Sequence, residues 1–262
     1  MAVEPSFQNC LNADIRGSGP PLLLLHGLFA SGSNLRAVAN DLAQLYTVHS
    51  VDLPMHGKSS LVQADSIESM ARHVMAYAKD NSISKPIVIG HSLGGKVAMS
   101  AVLSGLQCSA LIVLDIAPVG YPPSHGAVFE AVERVASLGL TSRQAVRKNL
   151  SLTLADNETI DFLSTQLHKT DAGHFQWKFD WQALRDNYEA FLAAPVSRES
   201  NETPSLFIAG ELSSYVNDQG RVAIKYLFSN SRIVTLKGAG HWPHAQKFEA
   251  LLNILHYFFQ SL

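Results

Sequence analysis

Short aliphatic runs alternate with longer amphipathic segments over the first 118 residues of the chain and again after residue 203. The runs predict strands, and their nearly continuous apolar character is typical of parallel strands that helices cover on both faces. The predicted strands are 21–27, 47–54, 86–90, 111–118, 205–211 and 232–242. Helical periodicity predicts helices at 34–46, 66–80, 93–106, 219–229 and 247–261. This order predicts an α/β fold, with a mostly parallel sheet between two layers of helices.

The alternation stops between residues 119 and 202. The segment YPPSHG at 121–126 breaks the strand pattern, and polar or amphipathic helical segments follow it without a strand-like run. An aromatic-rich piece, HFQWKFDWQALRDNY, lies at 174–188 within this block. We therefore predict an α/β core made of residues 1–118 and 203–262, interrupted by a helical cap at 119–202.

Composition and charge narrow the class of protein. The chain has 262 residues, 47% of them hydrophobic, which is enough to build a sizeable core. Only 16% of the residues are charged, against a typical value of about 25%. The formal net charge is −2 and no run of lysines or arginines occurs. We therefore expect no nucleic-acid partner, because nothing in the chain would bind the phosphate backbone.

The cysteines and the first ten residues of the chain bear on the cellular compartment of the protein. Cys10 and Cys108 fit neither a disulfide framework nor a zinc ligand set. The segment MAVEPSFQNC lacks the basic and apolar regions of a signal peptide. The longest aliphatic run, LLLL at 22–25, is far shorter than a membrane span. These features predict a cytoplasmic protein that does not insert into a membrane.

The sequence Gly-His-Ser-Leu-Gly at 90–94 lies between a predicted strand and a predicted helix. This context is that of a nucleophile elbow, a sharp turn that holds a serine hydroxyl above the edge of a sheet. Ser92 is therefore the candidate nucleophile. A serine hydroxyl is a poor nucleophile unless a base removes its proton, so a histidine is expected nearby.

Two histidines near the end of the chain are candidates for that base. In proteins with a nucleophile elbow the chain order is serine, acid, histidine. His241 follows the last predicted strand in the loop GAGHWPH, whereas His244 lies close to the start of the last helix. The position after the strand favours His241 over His244.

An oxyanion intermediate requires two backbone N–H donors. Leu93 directly follows the candidate nucleophile and starts a helix, so its amide is one candidate. The second donor is expected in the loop HGLFASG after the first long strand, where Leu28 is the preferred residue and Phe29 the alternative.

The motifs LLLLHGLFAS, DLPMHGKSS, GHSLGGKVAM and GAGHWPH together resemble the α/β-hydrolase superfamily. They cover both halves of the predicted core, roughly 20–118 and 203–262. The resemblance implies the α/β-hydrolase fold. It also identifies DLPMHGKSS as a structural loop of that family, so Asp52 and His56 are not expected to act in catalysis.

The acid of the expected triad is missing from its usual place. Most such enzymes have Gly-x-x-Asp after the strand at 205–211, but here Ser213 occupies the aspartate position. Asp115 ends the apolar run LIVLD that follows the nucleophile helix, and a buried carboxylate requires a partner. It would lie on the same edge of the sheet as the elbow, within reach of the base. Asp218 and Glu211 remain the alternatives.

Resemblance to a smaller group of proteins also indicates which residue is the triad acid. The segments LDIAPV, GHSLGGK, SSYV and GHWPHA are similar to those of small bacterial serine esterases of the YbfF type. The resemblance implies that Asp115 is the triad acid and that Ser213 supports the triad. The piece FQWKFDWQALRDNY also resembles the cap of this subgroup.

Together these features predict a serine hydrolase that cleaves esters of short to medium acyl chains through an acyl-enzyme, without a metal or an organic cofactor. The aromatic residues expected to line the acyl pocket are Phe29, Trp177, Trp181 and Trp242.

The alternative functions are a thioesterase acting on acyl-CoA, a haloperoxidase-like or carbon–carbon bond hydrolase, and a non-catalytic small-molecule receptor. Ser92 at the elbow argues against dehalogenases and epoxide hydrolases, which have an aspartate there. The sequence is compatible with a monomer or a homodimer.

Overall fold

The computed structural model describes residues 11–197 and 199–262. Cys10 therefore lies outside the described residues, while Cys108 has a free thiol. The strands are β1 Ala13–Arg16, β2 Pro21–Leu25, β3 Thr47–Val51, β4 Ile87–His91, β5 Ala110–Leu114, β6 Leu167–Lys169, β7 Phe175–Trp177, β8 Ser205–Gly210 and β9 Ser231–Leu236. The helices are α1 Arg36–Leu42, α2 Ile67–Asp80, α3 Leu93–Leu103, α4 Gly126–Ser137, α5 Arg143–Leu150, α6 Asn157–Thr165, α7 Trp181–Asp186, α8 Tyr188–Leu192, α9 Asp218–Leu227, α10 Pro243–Gln246 and α11 Phe248–Phe259.

Seven strands of the described chain form one sheet in the order β1-β3-β2-β4-β5-β8-β9. All neighbouring pairs are parallel except β1 with β3, which is antiparallel. The sequence did not predict β1, because this edge strand is only half-buried and lacks an apolar run. The predicted order of parallel strands and helices is confirmed.

Alternate residues of each inner strand point to opposite faces of the sheet. Leu23 and Leu25 of β2 pack with α2 and α3 on one face. Leu22 and Leu24 pack with α1 and α11 on the other. All four side chains are fully buried. The two apolar faces explain why the strands are aliphatic at consecutive positions rather than at every second one.

Five strands end earlier than the apolar runs predict. The residues after their last positions belong to loops, and these last positions are Leu25 in β2, Val51 in β3, Leu114 in β5, Gly210 in β8 and Leu236 in β9. At Asp115 the backbone itself ends the strand, because its φ of 50° lies in the left-handed region. The chemistry-bearing residues therefore lie just beyond the carboxyl ends of the strands, where parallel sheets hold their sites.

Helices α4 to α8 lie between β5 and β8, and we refer to this part, with the hairpin β6–β7, as the cap. The prediction that the cap has no strand is wrong. β6 and β7 form a short antiparallel pair, with Leu167 opposite Trp177. Phe175 and Trp177 are buried while Gln176 is exposed, an alternation too short to stand out in the sequence. The boundaries of the cap at 119 and 202 stay a prediction.

No helix among the described residues is long and apolar enough to cross a membrane.

Candidate active site

Ser92 occupies a sharp turn between β4 and α3. Its backbone has φ 51° and ψ −117°, a conformation that is strained for a residue other than glycine and is characteristic of functional sites. Its amide donates a hydrogen bond to the Leu114 carbonyl, 3.0 Å away, which fixes the turn against β5. The turn places Ser92 at the wall of an internal cavity.

The glycines on either side of Ser92 are required by close contacts. A Cβ atom on Gly90 would lie 2.3 Å from the carbonyl oxygen of Gly94. A Cβ atom on Gly94 would lie 2.4 Å from the carbonyl oxygen of Leu25 on the neighbouring strand. The spacing Gly-x-Ser-x-Gly therefore follows from the steric requirements of the turn.

His241 lies in the loop after β9 and reaches both Ser92 and Asp115. Its Nε2 atom is 3.0 Å from Ser92 Oγ, and its Nδ1 atom donates to Asp115 Oδ2 at 2.7 Å. The Tyr215 ring stacks on the imidazole with a centroid separation of 4.2 Å. Because Nδ1 carries the proton shared with the carboxylate, Nε2 presents its lone pair to the serine hydroxyl.

Asp115 is fully buried, yet both of its carboxylate oxygens have partners. Oδ1 accepts a hydrogen bond from the Gly210 amide at 2.8 Å. Oδ2 accepts from His241 and from the Ser213 hydroxyl, which is 2.5 Å away. These contacts explain how a carboxylate is accommodated at the end of a buried strand. The structure brings Ser213 to the carboxylate rather than to the imidazole.

The alternative acids and the alternative base lie elsewhere. Asp218 begins α9, and Glu211 accepts a hydrogen bond from the Gly238 amide. Neither carboxylate bonds to His241. His244 packs against the His91 ring, at 4.7 Å between centroids, and its buried Nδ1 has no partner among the described residues. Burial lowers the pKa of His244 to about 4.

The backbone amides of Leu28 and Leu93 both have no hydrogen-bond acceptor among the described residues. Leu93 is the first residue of α3, so its amide has no intrahelical acceptor. The Phe29 amide instead donates to His56 Nε2 at 3.1 Å. His56 Nδ1 in turn donates to the Pro54 carbonyl at 2.8 Å. Because the Phe29 amide is occupied, the geometry favours Leu28 as the second donor.

The residues of the DLPMHGKSS loop hold the backbone around the site. His26 Nε2 accepts from the Leu53 amide at 3.0 Å, and its Nδ1 donates to the Gly27 carbonyl. Burial lowers the pKa of His26 to about 4 and that of His56 to about 3, so both rings are neutral. The Asp52 carboxylate accepts hydrogen bonds from Gly32 N, Lys58 N and Asn12 Nδ2. Asp52 and His56 therefore contact loop backbone and not Ser92.

A mainly apolar cavity of about 280 Å³ opens beside Ser92 and His241. Of the four aromatic residues predicted to line it, Phe29 and Trp242 do so. Sequence reasoning missed several other lining residues, among them Lys96, Tyr121, Phe162, Leu163 and Phe191. Lys96 could have been predicted from the sequence, since it lies at the start of α3, only four residues after Ser92.

Trp177 and Trp181 do not line this cavity, so their prediction as pocket residues is wrong. Trp177 is buried within the cap, where it stacks on Phe179 and donates from Nε1 to the Val132 carbonyl at 3.0 Å. The Trp181 ring packs under the Arg185 guanidinium, 4.9 Å from the ring centroid. Aromatic content predicts that these residues pack, but the side of the cap that they face depends on tertiary structure.

Lys96 connects helix α3 to the end of the cap. Its buried ammonium donates to the carbonyl oxygens of Leu192 and Ala193, each 2.7 Å away. It also lies 4.8 Å from the centroid of the Tyr121 ring, where the chain enters the cap. Burial lowers the pKa of Lys96 to about 7, against a smaller opposing effect of Glu68.

Comparison with known proteins places this chain in a family. Residues 22–253 match the sequence model of the alpha/beta hydrolase family, and the chain belongs to that family. It is 33% identical over 230 residues to a putative esterase/lipase of Haemophilus influenzae, covering 87% of this chain and 79% of the relative. It is 32% identical over 237 residues to esterase YbfF of Escherichia coli, covering 90% and 91% of the two chains.

A solved structure has the same fold at similar sequence identity. It is described as a marine microorganism esterase, and it superposes with a TM-score of 0.88 at 31% identity. The superposition covers 95% of this chain and 98% of the other.

Proposed function

We propose that this protein is a carboxylic ester hydrolase in which Ser92, His241 and Asp115 form the catalytic triad. One observation carries the proposal: Ser92 Oγ, the His241 ring and the Asp115 carboxylate form a continuous hydrogen-bonded line, with separations of 3.0 and 2.7 Å. This line opens on an apolar cavity. Relatives of the chain that are named esterases support the same reaction class.

In the first half of the reaction, Ser92 Oγ attacks the ester carbonyl carbon while His241 Nε2 takes the hydroxyl proton. The Asp115 carboxylate holds the Nδ1–H tautomer and stabilises the imidazolium that forms. The amides of Leu28 and Leu93 donate to the oxyanion of the tetrahedral intermediate. Loss of one such donor typically costs about 3 to 4 kcal/mol of transition-state stabilisation.

Collapse of the intermediate expels the alcohol, which receives its proton from His241, and leaves an acyl group on Ser92. Water then attacks the acyl-enzyme with His241 as the base, and the carboxylic acid is released as Ser92 regains its proton. The proton that passes between Ser92 Oγ and His241 Nε2 moves along a hydrogen bond that the structure already contains.

The size and lining of the cavity favour esters with short to medium acyl chains. Its volume of about 280 Å³ lies just below the usual range for small-molecule sites, which begins at about 300 Å³. A thioesterase acting on acyl-CoA has a phosphate-rich leaving group, which basic side chains near the cavity would have to bind, and Arg185 and Lys178 of the cap do not supply them. Arg185 pairs with Glu133 at 3.0 Å, Lys178 donates to the Thr165 carbonyl, and neither lines the cavity.

The experiment that tests the proposal is hydrolysis of p-nitrophenyl esters from acetate to palmitate by wild type and Ser92→Ala. We expect turnover that peaks at short or medium chains and falls by roughly 10⁴-fold or more in the variant. A clear preference for palmitate would contradict the chain-length proposal. Equal rates for the two proteins would contradict the triad.

A further inference from the structure

His91 is a buried titratable residue that the reaction just described does not use. It is the residue between Gly90 and Ser92 in the elbow, at the end of β4, and only 4% of it is exposed. Its Nε2 atom lies 2.8 Å from the backbone carbonyl oxygen of His241. Because a carbonyl oxygen only accepts hydrogen bonds, His91 Nε2 carries the proton and donates it.

The His91 ring fills the space between two loops of the site. Its centroid is 5.0 Å from that of His241 and 4.7 Å from that of His244, both of which follow β9. On the other side its Nδ1 atom faces Gly27, where an added Cβ would lie only 3.0 Å away. The ring thus contacts the loop of the proposed base and the loop that leads to Leu28.

Contacts at several points hold the loop that carries His241. The amides of Gly238 and Gly240, just before the histidine, donate to Glu211 Oε2 and Gln246 Oε1. Asp115 restrains the His241 side chain through Nδ1. His91 restrains the His241 backbone through its carbonyl. Two restraints at different points fix the direction of Nε2.

We propose that His91 is a positioning residue, which holds the backbone of His241 so that Nε2 stays in reach of Ser92 Oγ. The proposal rests on the proposed function, since it assigns a task to His91 only if His241 is the base. The anchor and the nucleophile are consecutive residues, so the elbow sets the position of the base as well as that of the serine.

Neutrality of His91 suits this task. Burial, with smaller effects from His244, His241 and His26, holds the pKa of His91 well below its ordinary value. A charged ring 5.0 Å from the His241 ring would oppose the imidazolium that forms during the reaction. The neutral donor positions the base without that repulsion.

His91→Met and His91→Gln form a matched pair, because the two side chains have the same length and only glutamine retains an N–H donor near the position of Nε2. We expect His91→Met to lower kcat on p-nitrophenyl butyrate by roughly 10- to 100-fold, with KM changed by less than about twofold. His91→Gln should restore kcat to within about threefold of wild type. The rate at which a small fluorophosphonate modifies Ser92 should follow kcat.

A role in stability alone would give a different pattern. If His91 only stabilised the fold, both variants would lower the melting temperature, and kcat would be no higher in His91→Gln than in His91→Met. That result overturns the proposal. Nitrogen-15 NMR of wild type provides a test that needs no variant: His91 should be neutral, with its proton on Nε2, from pH 5 to pH 8. A proton on Nδ1 or a charged ring would also overturn it. Wild type without Ser92-dependent turnover would instead refute the proposed function.

Discussion

The core and the cap build their parts of the site in different ways. Ser92, Asp115 and His241 each follow the carboxyl end of a parallel strand, β4, β5 and β9, so the sheet itself brings them together. The cap contributes wall residues such as Phe162 and Phe191 through the packing of short helices. The proposed chemistry thus depends on backbone geometry, whereas the shape of the cavity depends on side-chain packing.

The backbone of the core is strained where the chemistry is proposed to occur. Ser92 and Asp115 both have φ values near 50° although neither is glycine. Each such residue costs on the order of 1 to 3 kcal/mol, and it persists only where the surrounding structure enforces it. In the cap, by contrast, ion pairs such as Arg134–Glu130 and Arg185–Glu133 are exposed and contribute little. Changes in the core should therefore affect rate, and changes in the cap should affect specificity or stability.

Asp115→Asn is expected to give the largest effect among variants that leave the nucleophile in place. An amide at this position favours the wrong imidazole tautomer, so kcat should fall by roughly 10³- to 10⁴-fold. Asp218→Asn is the matched control and should retain a rate close to that of wild type, because Asp218 does not bond to His241. Steady-state kinetics on p-nitrophenyl butyrate measures both. A larger loss in Asp218→Asn would identify Asp218 as the acid.

Lys96, at the junction of core and cap, should make stability depend on pH. Its pKa is lowered from 10.5 to about 7 in the folded protein. Between these values the unfolded chain binds more protons, so the contribution of Lys96 to stability rises with pH. The unfolding free energy of wild type minus that of Lys96→Met should therefore become more positive from pH 7 to pH 10, by about 1.4 kcal/mol per pH unit at most.

Urea unfolding at several pH values measures this difference. Lys79→Met is the control, because Lys79 is exposed on α2 and its removal should leave the pH dependence of wild type unchanged. A difference between wild type and Lys96→Met that stays constant over the same pH range would contradict the prediction.

The same difference between core and cap decides which features could be predicted from the sequence. The elbow at Ser92 is recognisable because its flanking glycines are required by contacts within a few residues and one neighbouring strand. Asp115 is recognisable because a carboxylate in an apolar run must have a partner. Trp177 and Trp181 were misplaced because an aromatic pattern does not show which side of the cap a residue of β7 or α7 faces. The β6–β7 hairpin was missed because three-residue strands carry too little periodicity.

Substitution of two phenylalanines in the cap should separate effects on the shape of the cavity from effects on stability. Phe162 lines the cavity and packs near Trp242, with ring centroids 5.9 Å apart. Phe175 is buried but does not line the cavity. Phe162→Ala should shift the preferred acyl chain to a longer one and change KM several-fold, since it enlarges the pocket by the volume of a phenyl ring. Phe175→Ala should lower stability by roughly 3 kcal/mol and leave the chain-length profile unchanged.

The profile of rates over p-nitrophenyl esters and thermal unfolding of both variants test this pair. If Phe175→Ala altered the chain-length preference as strongly as Phe162→Ala, the cavity wall would not be confined to the residues that line it, and the contrast between packing and specificity within the cap would fail.

Ser213→Ala is expected to give the smallest effect. The variant loses the hydroxyl that donates to Asp115 Oδ2, but the carboxylate keeps the Gly210 amide and the His241 ring. A hydrogen bond to a charged group contributes about 1.5 to 3 kcal/mol, and only the part of it that differs between the ground state and the transition state affects the rate. We therefore expect kcat to fall by roughly fivefold, with KM nearly constant. Ser214→Ala, at the exposed next residue, should be neutral. A loss in Ser213→Ala as large as that in Asp115→Asn would mean that the hydroxyl, and not only the carboxylate, orients the base.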